Sequence, residues 1–220
     1  MNTETASYFY NSMGVPEFNG PFSPRSDMLF DRIRDKCEKI IFQGAKVLDI
    51  GCGNGRYAFK FEKLGASPVG IDCAYEIIEY AKNAAKEHES QAEFVCADAL
   101  DMPFSDNYFD IIFLAGNNIA EFSYDDIEII CKESKRALKK NGYFCVSMND
   151  CRIHDNGKSF DLSTYIPEEG KRICYYGQGE KYEYHAYYWT IAFAKHIFGK
   201  YFDKIEISQT DEKRFWIQCS

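Results

Sequence analysis

The sequence predicts an α/β fold with a doubly wound, mostly parallel sheet, and three observations support this. The first is a strand, a glycine turn and a helix at residues 46–57. The second is the alternation of short apolar runs with helical periodicity from there to residue 148. The third is a nearly continuous apolar run at residues 109–115, which is typical of a parallel strand covered on both faces.

The glycine stretch, K-V-L-D-I-G-C-G-N-G-R-Y at residues 46–57, predicts a ligand-binding turn. Glycines permit a tight turn and a close approach of the ligand, and the amides that open the next helix face that ligand. A dinucleotide fingerprint would have its third glycine where Arg56 stands, and the Gly-Lys-Ser/Thr of a P-loop is absent. The carboxylate of Asp49 would repel a pyrophosphate, but it suits a cationic or amine-bearing ligand.

Two further acids follow predicted strands. Asp72 ends a strand at residues 68–72, about 20 residues after the glycine turn, which is the distance at which an acid can accept hydrogen bonds from ribose hydroxyls. A strand-end Asp is often only a helix N-cap, and dehydrogenases share the ribose-binding feature. Asp98 lies in the turn A-D-A-L, after a third predicted strand at residues 92–96.

The stretch V-L-D-I-G-C-G-N-G resembles motif I of the class I S-adenosylmethionine (SAM)-dependent methyltransferases, and the A-D-A-L turn with its downstream M-P-F is similar to theirs as well. The resemblance implies one domain over residues 1–220 and a seven-stranded sheet of order 3-2-1-4-5-7-6, with strand 7 antiparallel and helices on both faces. It implies SAM as the cofactor and S-adenosylhomocysteine (SAH) as its product. The implied cofactor-binding residues are Asp49, Gly51, Gly53, Asn54, Arg56, Asp72, Cys73, Asp98, Ala99, Ala115 and Tyr10.

In this family the acid of motif I lies near the methionine part of SAM, and the glycine turn lies against the cofactor. Asp72 would bind the ribose. Asp98 would accept a hydrogen bond from the adenine amino group, and the backbone amide of Ala99 would reach a ring nitrogen.

Residues 1–44 are predicted to form an N-terminal lid and a helix. The first 25 residues are rich in aromatics, asparagine, glycine and proline, and they include Tyr10. These rings either fold over the cofactor cleft or hold a tail to the surface, and both interpretations stay open. The helix is predicted to begin at Ser26, and its pattern ends at Gly44.

The second half of the chain adds a capped helix, a hairpin and a closing strand pair. An S-x-x-D capping box at residues 123–126 begins a helix that is predicted to end at Asn141-Gly142, before a fifth strand at residues 143–148. Residues 150–187 form the acceptor-side insertion, where a glycine-containing loop separates two β-prone runs and predicts a hairpin. A helix at residues 188–198 and two strands, at 205–207 and 215–217, complete the chain.

Three residues are candidates for contact with the methyl acceptor. Asn117 follows the fourth strand at the ligand-binding edge, although an asparagine here is as often only a turn residue. Tyr184 and His185 lie where the hairpin meets the next helix, and His185 could accept a proton near neutral pH. Hairpin tyrosines and a single histidine also serve structural roles. Because methyl transfer depends mainly on alignment of donor and acceptor, a general base is needed only if the acceptor must lose a proton.

Composition limits the partners and the location. A formal charge of −8 and a pI near 5.1 disfavour nonspecific nucleic-acid binding. Nine scattered cysteines without a C-x-x-C pair predict reduced thiols, a cytoplasmic location and no metal site. The N-terminus has no signal-peptide pattern, and no apolar run is long enough for a membrane span.

The function predicted from the sequence is SAM-dependent methyl transfer to a small-molecule acceptor. One alternative is an NAD-type oxidoreductase, against which the missing third glycine and the A-D-A-L turn count. The other is a SAM-binding protein without transferase activity, because cofactor binding and acceptor chemistry depend on different residues. The identity of the acceptor and the oligomeric state are left open.

Overall fold

Five α-helices and ten strands are present in a computed structural model that describes residues 20–37, 40–150, 165–166, 171–176, 182–187, 189–210 and 214–220. The helices are α1 (Pro24–Cys37), α2 (Arg56–Lys63), α3 (Tyr75–Glu87), α4 (Tyr124–Ala137) and α5 (Ile191–Phe198), and a 3-10 helix covers Asn118–Glu121. The strands are β1 (Lys46–Ile50), β2 (Ser67–Asp72), β3 (Glu93–Cys96), β4 (Phe109–Leu114), β5 (Leu138–Asn149), β6 (Tyr165–Ile166), β7 (Lys171–Tyr176), β8 (Tyr182–Tyr187), β9 (Ile205–Gln209) and β10 (Arg214–Cys219).

The main sheet has the order β3-β2-β1-β4-β5-β10-β9. Strands β1 to β5 pair parallel with one another, whereas β10 is antiparallel to both β5 and β9. Since β9 and β10 are the sixth and seventh strands of this sheet, the order is 3-2-1-4-5-7-6 with an antiparallel seventh strand. The predicted fold class is confirmed. The classical dinucleotide-binding sheet has the order 3-2-1-4-5-6 instead, which counts against the oxidoreductase alternative.

Strand β4 shows how the sheet is covered on both faces. Ile112 and Leu114 belong to the cluster that packs against α4 and α5, whereas Ile111 and Phe113 belong to the cluster that packs against α1 and α2. All four side chains are almost fully buried. Each contributes about 1.5–3 kcal/mol by leaving water. This two-sided burial explains why the strand is apolar at nearly every position.

Helices α1 and α4 have ends that differ from the prediction. Helix α1 begins at Pro24 rather than Ser26 and ends at Cys37, before the turn that contains Gly44. Helix α4 begins with the predicted capping box, but it ends at Ala137, four residues before Asn141. Leu138 is extended because it pairs with Phe109 of β4, and the buried sheet contact outweighs continuation of the helix.

The insertion after β5 forms a second sheet of order β6-β7-β8. Strands β7 and β8 pair antiparallel, which confirms the predicted hairpin, and the short strand β6 was not predicted. Strand β8 packs against the 3-10 helix, so the insertion lies beside the segment that follows β4. Helix α5 begins later than predicted because the side chains of Thr190 and Asp150 accept hydrogen bonds from its first amides, those of Phe193 and Ile191.

The N-terminal segment is described from residue 20 onward. The ring of Phe22 lies 4.7 Å from that of Phe59 and 4.0 Å from that of His88, between centroids. This contact fits the interpretation of a surface-held segment at Phe22. Residues 1–19, including Tyr10, lie outside the described residues, so a lid remains a prediction. Among the described helices, none is long and apolar enough to cross a bilayer.

Candidate active site

The glycine turn lies at the edge of the sheet where the parallel strands end. Two of its glycines, both with positive φ, have different roles. A β-carbon on Gly55 (φ +85°) would lie 2.6 Å from the ring of Phe94, so this glycine is required by packing. A β-carbon on Gly53 (φ +54°) would meet no described atom within 4 Å. Gly53 therefore leaves open space in front of the turn, where a ligand can approach the backbone.

Asp49 is a buried carboxyl directly beneath this turn. It is 1% exposed, and neither of its oxygens has a hydrogen-bond partner of ordinary geometry among the described residues. Burial, together with the charge of Asp72, raises the pKa of Asp49 from 3.8 to about 8, although the amide of Ala58 and the guanidinium of Arg56 offset part of the effect. A buried carboxyl without a partner is costly in the unliganded protein. It is suited to a ligand that brings positive charge or hydrogen-bond donors.

Asp72 connects the glycine turn to the start of α3. Its two oxygens accept hydrogen bonds from the amides of Gly53 and Ala74, each at 3.0 Å. Burial raises the pKa of Asp72 despite these hydrogen bonds. Each carboxylate oxygen has a second lone pair, so both can still accept a hydrogen bond from a ligand hydroxyl.

Cys73 and Asp98 lie at the same edge of the sheet, just after the ends of β2 and β3. Burial, with the charges of Asp72 and Asp98, raises the pKa of the Cys73 thiol to about 12, so the thiol stays protonated. The Oδ1 atom of Asp98 accepts the amide of Leu100 at 2.9 Å, which shapes the A-D-A-L turn. Ala99 is buried beside it.

Asn117 and Asn118 fix the segment that follows β4. The Oδ1 atom of Asn117 accepts the amide of Asn149 at 2.8 Å, and Nδ2 of Asn118 donates to the carbonyl of Gly51 at 2.7 Å. The hydroxyl of Ser147 accepts the amide of Gly116 at 2.9 Å. These bonds join the ends of β1, β4 and β5, so the Asn117 side chain has a structural contact whether or not it also meets the acceptor.

A cavity of about 210 Å³ extends from the glycine turn toward the far strands. Its described walls are the glycine turn, the start of α2, Ile33 of α1, the segment 116–118 and the end of β5. Thr210, which follows β9, and Arg214, which begins β10, complete them. The structure therefore joins the predicted cofactor edge to a pocket on the side of β5 and β10.

The predicted site residues fall into three groups. Ten of the eleven predicted cofactor residues, all except Tyr10, lie at the ends of β1 to β4 with Asn117 beside them. Tyr184 and His185 lie in β8, paired with Cys174 and Ile173 of β7, and their side chains lie outside the described part of the chain. Tyr10 also lies outside the described residues.

Four polar cavity residues that follow residue 118 in the chain were not predicted from the sequence: Ser147, Asn149, Thr210 and Arg214. Asn149 ends β5 as Asp72 ends β2, so its position was a usable signal. Ser147 interrupts an apolar strand, which was a weaker one. Thr210 and Arg214 reach the site only because β10 runs antiparallel to β5 and pairs Arg214 with Asn149.

This fold and this edge of acids and glycines are those of the class I SAM-dependent methyltransferases. Residues 47–142 match the family model described as a methyltransferase domain. Residues 47–142 therefore form a methyltransferase domain of this class, and the resemblance drawn from its motifs is confirmed.

The relatives of the chain agree with this assignment. A ubiquinone biosynthesis O-methyltransferase from Pelagibacter ubique is 35% identical over 140 residues, which are 59% of this chain and 57% of that protein. The PH0226 protein of Pyrococcus horikoshii OT3 has a TM-score of 0.80 at 22% identity and covers 94% of this chain, with 95% of its own chain matched. DhpI in complex with SAH has a TM-score of 0.75 at 15% identity, with 99% and 96% of the two chains matched.

The comparisons identify the class of the domain but not the methyl acceptor. The chain spans little more than half the length of the first curated relatives it matches. The relatives carry different names, including a ubiquinone biosynthesis O-methyltransferase and a ribosomal protein L11 methyltransferase. The two solved structures have less than 25% identity and support the fold alone.

Proposed function

We propose that this chain transfers the methyl group of SAM to a small-molecule acceptor. The observation that carries the proposal is the buried carboxyl of Asp49, which has no hydrogen-bond partner of ordinary geometry among the described residues. It lies under an open glycine turn that lines a cavity of about 210 Å³. A carboxyl in this state is retained at a cost to stability, which is typical of functional sites. A binding site for a cationic cofactor accounts for it.

Four residues would hold SAM. Asp49 would face its positively charged methionine end, and Gly53 would leave room for it against the turn. Asp72 would accept hydrogen bonds from the ribose hydroxyls, and Asp98 one from the adenine amino group. When bound, SAM supplies an electrophilic methyl group on a sulfonium sulfur.

The cavity supports a small acceptor. Its volume of about 210 Å³ is below the 300–1,000 Å³ typical of drug-sized ligand pockets. The net charge of −8 disfavours nucleic acid as the acceptor. A compact metabolite would be enclosed between the glycine turn, the end of β5 and Arg214, and this enclosure would exclude water and align the acceptor.

Acceptor activation would depend on residues outside the described cavity wall. Among the described lining residues there is no carboxylate and no imidazole. A general base would therefore come from β8, where His185 and Tyr184 were predicted to contact the acceptor, because β8 packs against the 3-10 helix beside the cavity. Asn117 would position the acceptor rather than accept its proton.

A transfer assay tests the proposal. The protein is incubated with methyl-labelled SAM and a cell extract, and the label is then separated into an ultrafiltrate and a macromolecular fraction. We expect protein-dependent label in the ultrafiltrate, with loss of that label for Asp49→Asn. Label confined to the macromolecular fraction would contradict a small acceptor. Calorimetric SAH binding without transfer in any fraction would favour the non-catalytic SAM-binding alternative.

The predicted cytoplasmic location is consistent with the thiols. All seven described cysteines are free, and five of them are buried. Burial raises the pKa of Cys37 and of Cys219 to about 12, so these thiols are not reactive. Unreactive, unpaired thiols suit a reducing compartment.

A further inference from the structure

We infer that the methyl acceptor carries an anionic group, such as a carboxylate or a phosphate, which docks on Arg214. The inference rests on the proposed function, since it assigns the acceptor class of the same site. Arg214 opens β10 and lines the cavity on the side away from the cofactor residues.

The charge of the cavity wall is the first observation. In a chain with a formal charge of −8, the described lining residues include two arginines, Arg56 and Arg214, and no aspartate or glutamate. Positively charged side chains on the wall of a cavity attract anionic ligands. Both arginines also make other interactions in the structure, and a bound anion would join these. The local charge therefore favours an anionic ligand.

The two arginines lie at different distances from the predicted cofactor residues, which indicates different roles. Arg56 begins α2, directly after the glycine turn, and was predicted to contact the cofactor. Arg214 is paired with Asn149 of β5, and β5 is separated from β1 by β4. Three strand spacings of about 4.8 Å place the β10 backbone about 14 Å from β1. Arg56 is thus next to the cofactor, whereas Arg214 is on the acceptor side.

The amide of Asn149 is the second observation. The Oδ1 atom of Asn149 is buried and has no hydrogen-bond partner among the described residues. Asn149 is paired with Arg214 across β5 and β10. A buried acceptor atom without a donor costs about 1–3 kcal/mol. A hydroxyl or amine of the acceptor would satisfy it.

The turn before β10 holds this arrangement in place. The amide of Thr210 donates to the carbonyl of Arg214 at 2.9 Å, which closes the connection between β9 and β10. The threonine and arginine both line the cavity. The geometry describes an acceptor with an anionic group at Arg214 and a hydrogen-bond donor at Asn149, as in a hydroxy acid or an amino acid.

Binding of simple anions to the SAH-loaded protein tests this inference. Benzoate and phenyl phosphate serve as probes, benzamide is the neutral match, and ionic strength is held constant. We expect at least one anion to bind the wild type, and its dissociation constant to rise about tenfold or more in Arg214→Gln, which corresponds to the loss of one charge-assisted hydrogen bond. Arg214→Lys should retain part of the affinity. Lys204→Gln removes a charge at the opposite edge of the sheet, where Lys204 pairs with Glu206, and should change nothing.

Each other outcome decides against the inference. If SAH binds the wild type but neither anion does, or if both anions bind Arg214→Gln as they bind the wild type, the inference is wrong and the proposed function stands. If Arg214→Gln weakens SAH but not methylthioadenosine, which lacks the amino-acid carboxylate, Arg214 holds the cofactor instead. If the wild type binds neither SAH nor the anions, the proposed function fails together with the inference.

Discussion

Replacing Asp49 with asparagine is expected to stabilise the unliganded protein, and more so at high pH. Burial and the charge of Asp72 raise the pKa of this carboxyl from 3.8 to about 8. A carboxyl with a raised pKa in the folded state binds more protons there than in the unfolded chain. Its ionisation therefore lowers the free energy of unfolding as the pH rises from about 4 to about 8.

The size of the effect follows from that interval. Each pH unit across it is worth at most about 1.4 kcal/mol, so the upper limit is on the order of 5 kcal/mol. Local relaxation and water entry lower this value, and a buried polar group without a partner usually costs about 1–3 kcal/mol. We expect Asp49→Asn to gain about 1–3 kcal/mol near pH 8 and almost nothing near pH 4.

Urea denaturation from about pH 5 to about pH 8 measures the difference. The two midpoints should diverge as the pH rises. Asp110→Asn provides a control of opposite sign: partial burial acts to raise the pKa of Asp110, but hydrogen bonds from Lys139 and Lys46 lower it overall. Asp110 is ionised in both states throughout this range, so that variant should be destabilised by a constant amount, and the loss should fade only below about pH 4. The reasoning about Asp49 is refuted if its variant is less stable near pH 8, or if the midpoints differ by the same amount at every pH.

Three further predictions concern binding and stability. Because Asp49 must ionise to pair with a cation, calorimetric affinity for SAM should rise with pH by up to about tenfold per unit until about pH 8, and this slope should vanish in Asp49→Asn. Gly53→Ala should weaken SAM binding and lower the free energy of unfolding by about 1–2 kcal/mol. Gly55→Ala should lower the free energy of unfolding by more, because its β-carbon would contact Phe94, and thermal unfolding distinguishes the two variants. Ser123→Ala removes the α4 cap and should cost about 1 kcal/mol in urea denaturation, with SAH binding unchanged.

The central fold could be predicted because its signals are local. The apolar run of β4 indicates burial on both faces, and the S-x-x-D box at residues 123–126 caps its own helix. The glycine turn is local too, since positive φ values restrict it to glycine. These features depend on neighbouring residues in the chain, so a single sequence is enough to identify them.

The missed features depend on contacts between distant segments. Leu138 is part of β5 rather than of helix α4 because it pairs with Phe109, and no residue near it in the sequence indicates this pairing. Arg214 enters the cavity through its pairing with Asn149, 65 positions earlier in the chain. For Asn117, the position at the ligand-binding edge could be predicted from the sequence, but the hydrogen bond that it accepts from the Asn149 amide could not.

The reversed direction of β10 has a consequence for how this protein could be redesigned. The predicted cofactor residues other than Tyr10 lie at the ends of forward-running strands, between residues 49 and 115, whereas the arginine proposed to bind the acceptor is the first residue of a strand that runs the other way. The residues proposed to bind the cofactor and the residue proposed to bind the acceptor therefore lie in separate stretches of the chain. Exchanging the short connection from Thr210 to Arg214 for that of another methyltransferase would alter acceptor choice and leave the SAM site intact, so this connection is the natural place to begin engineering.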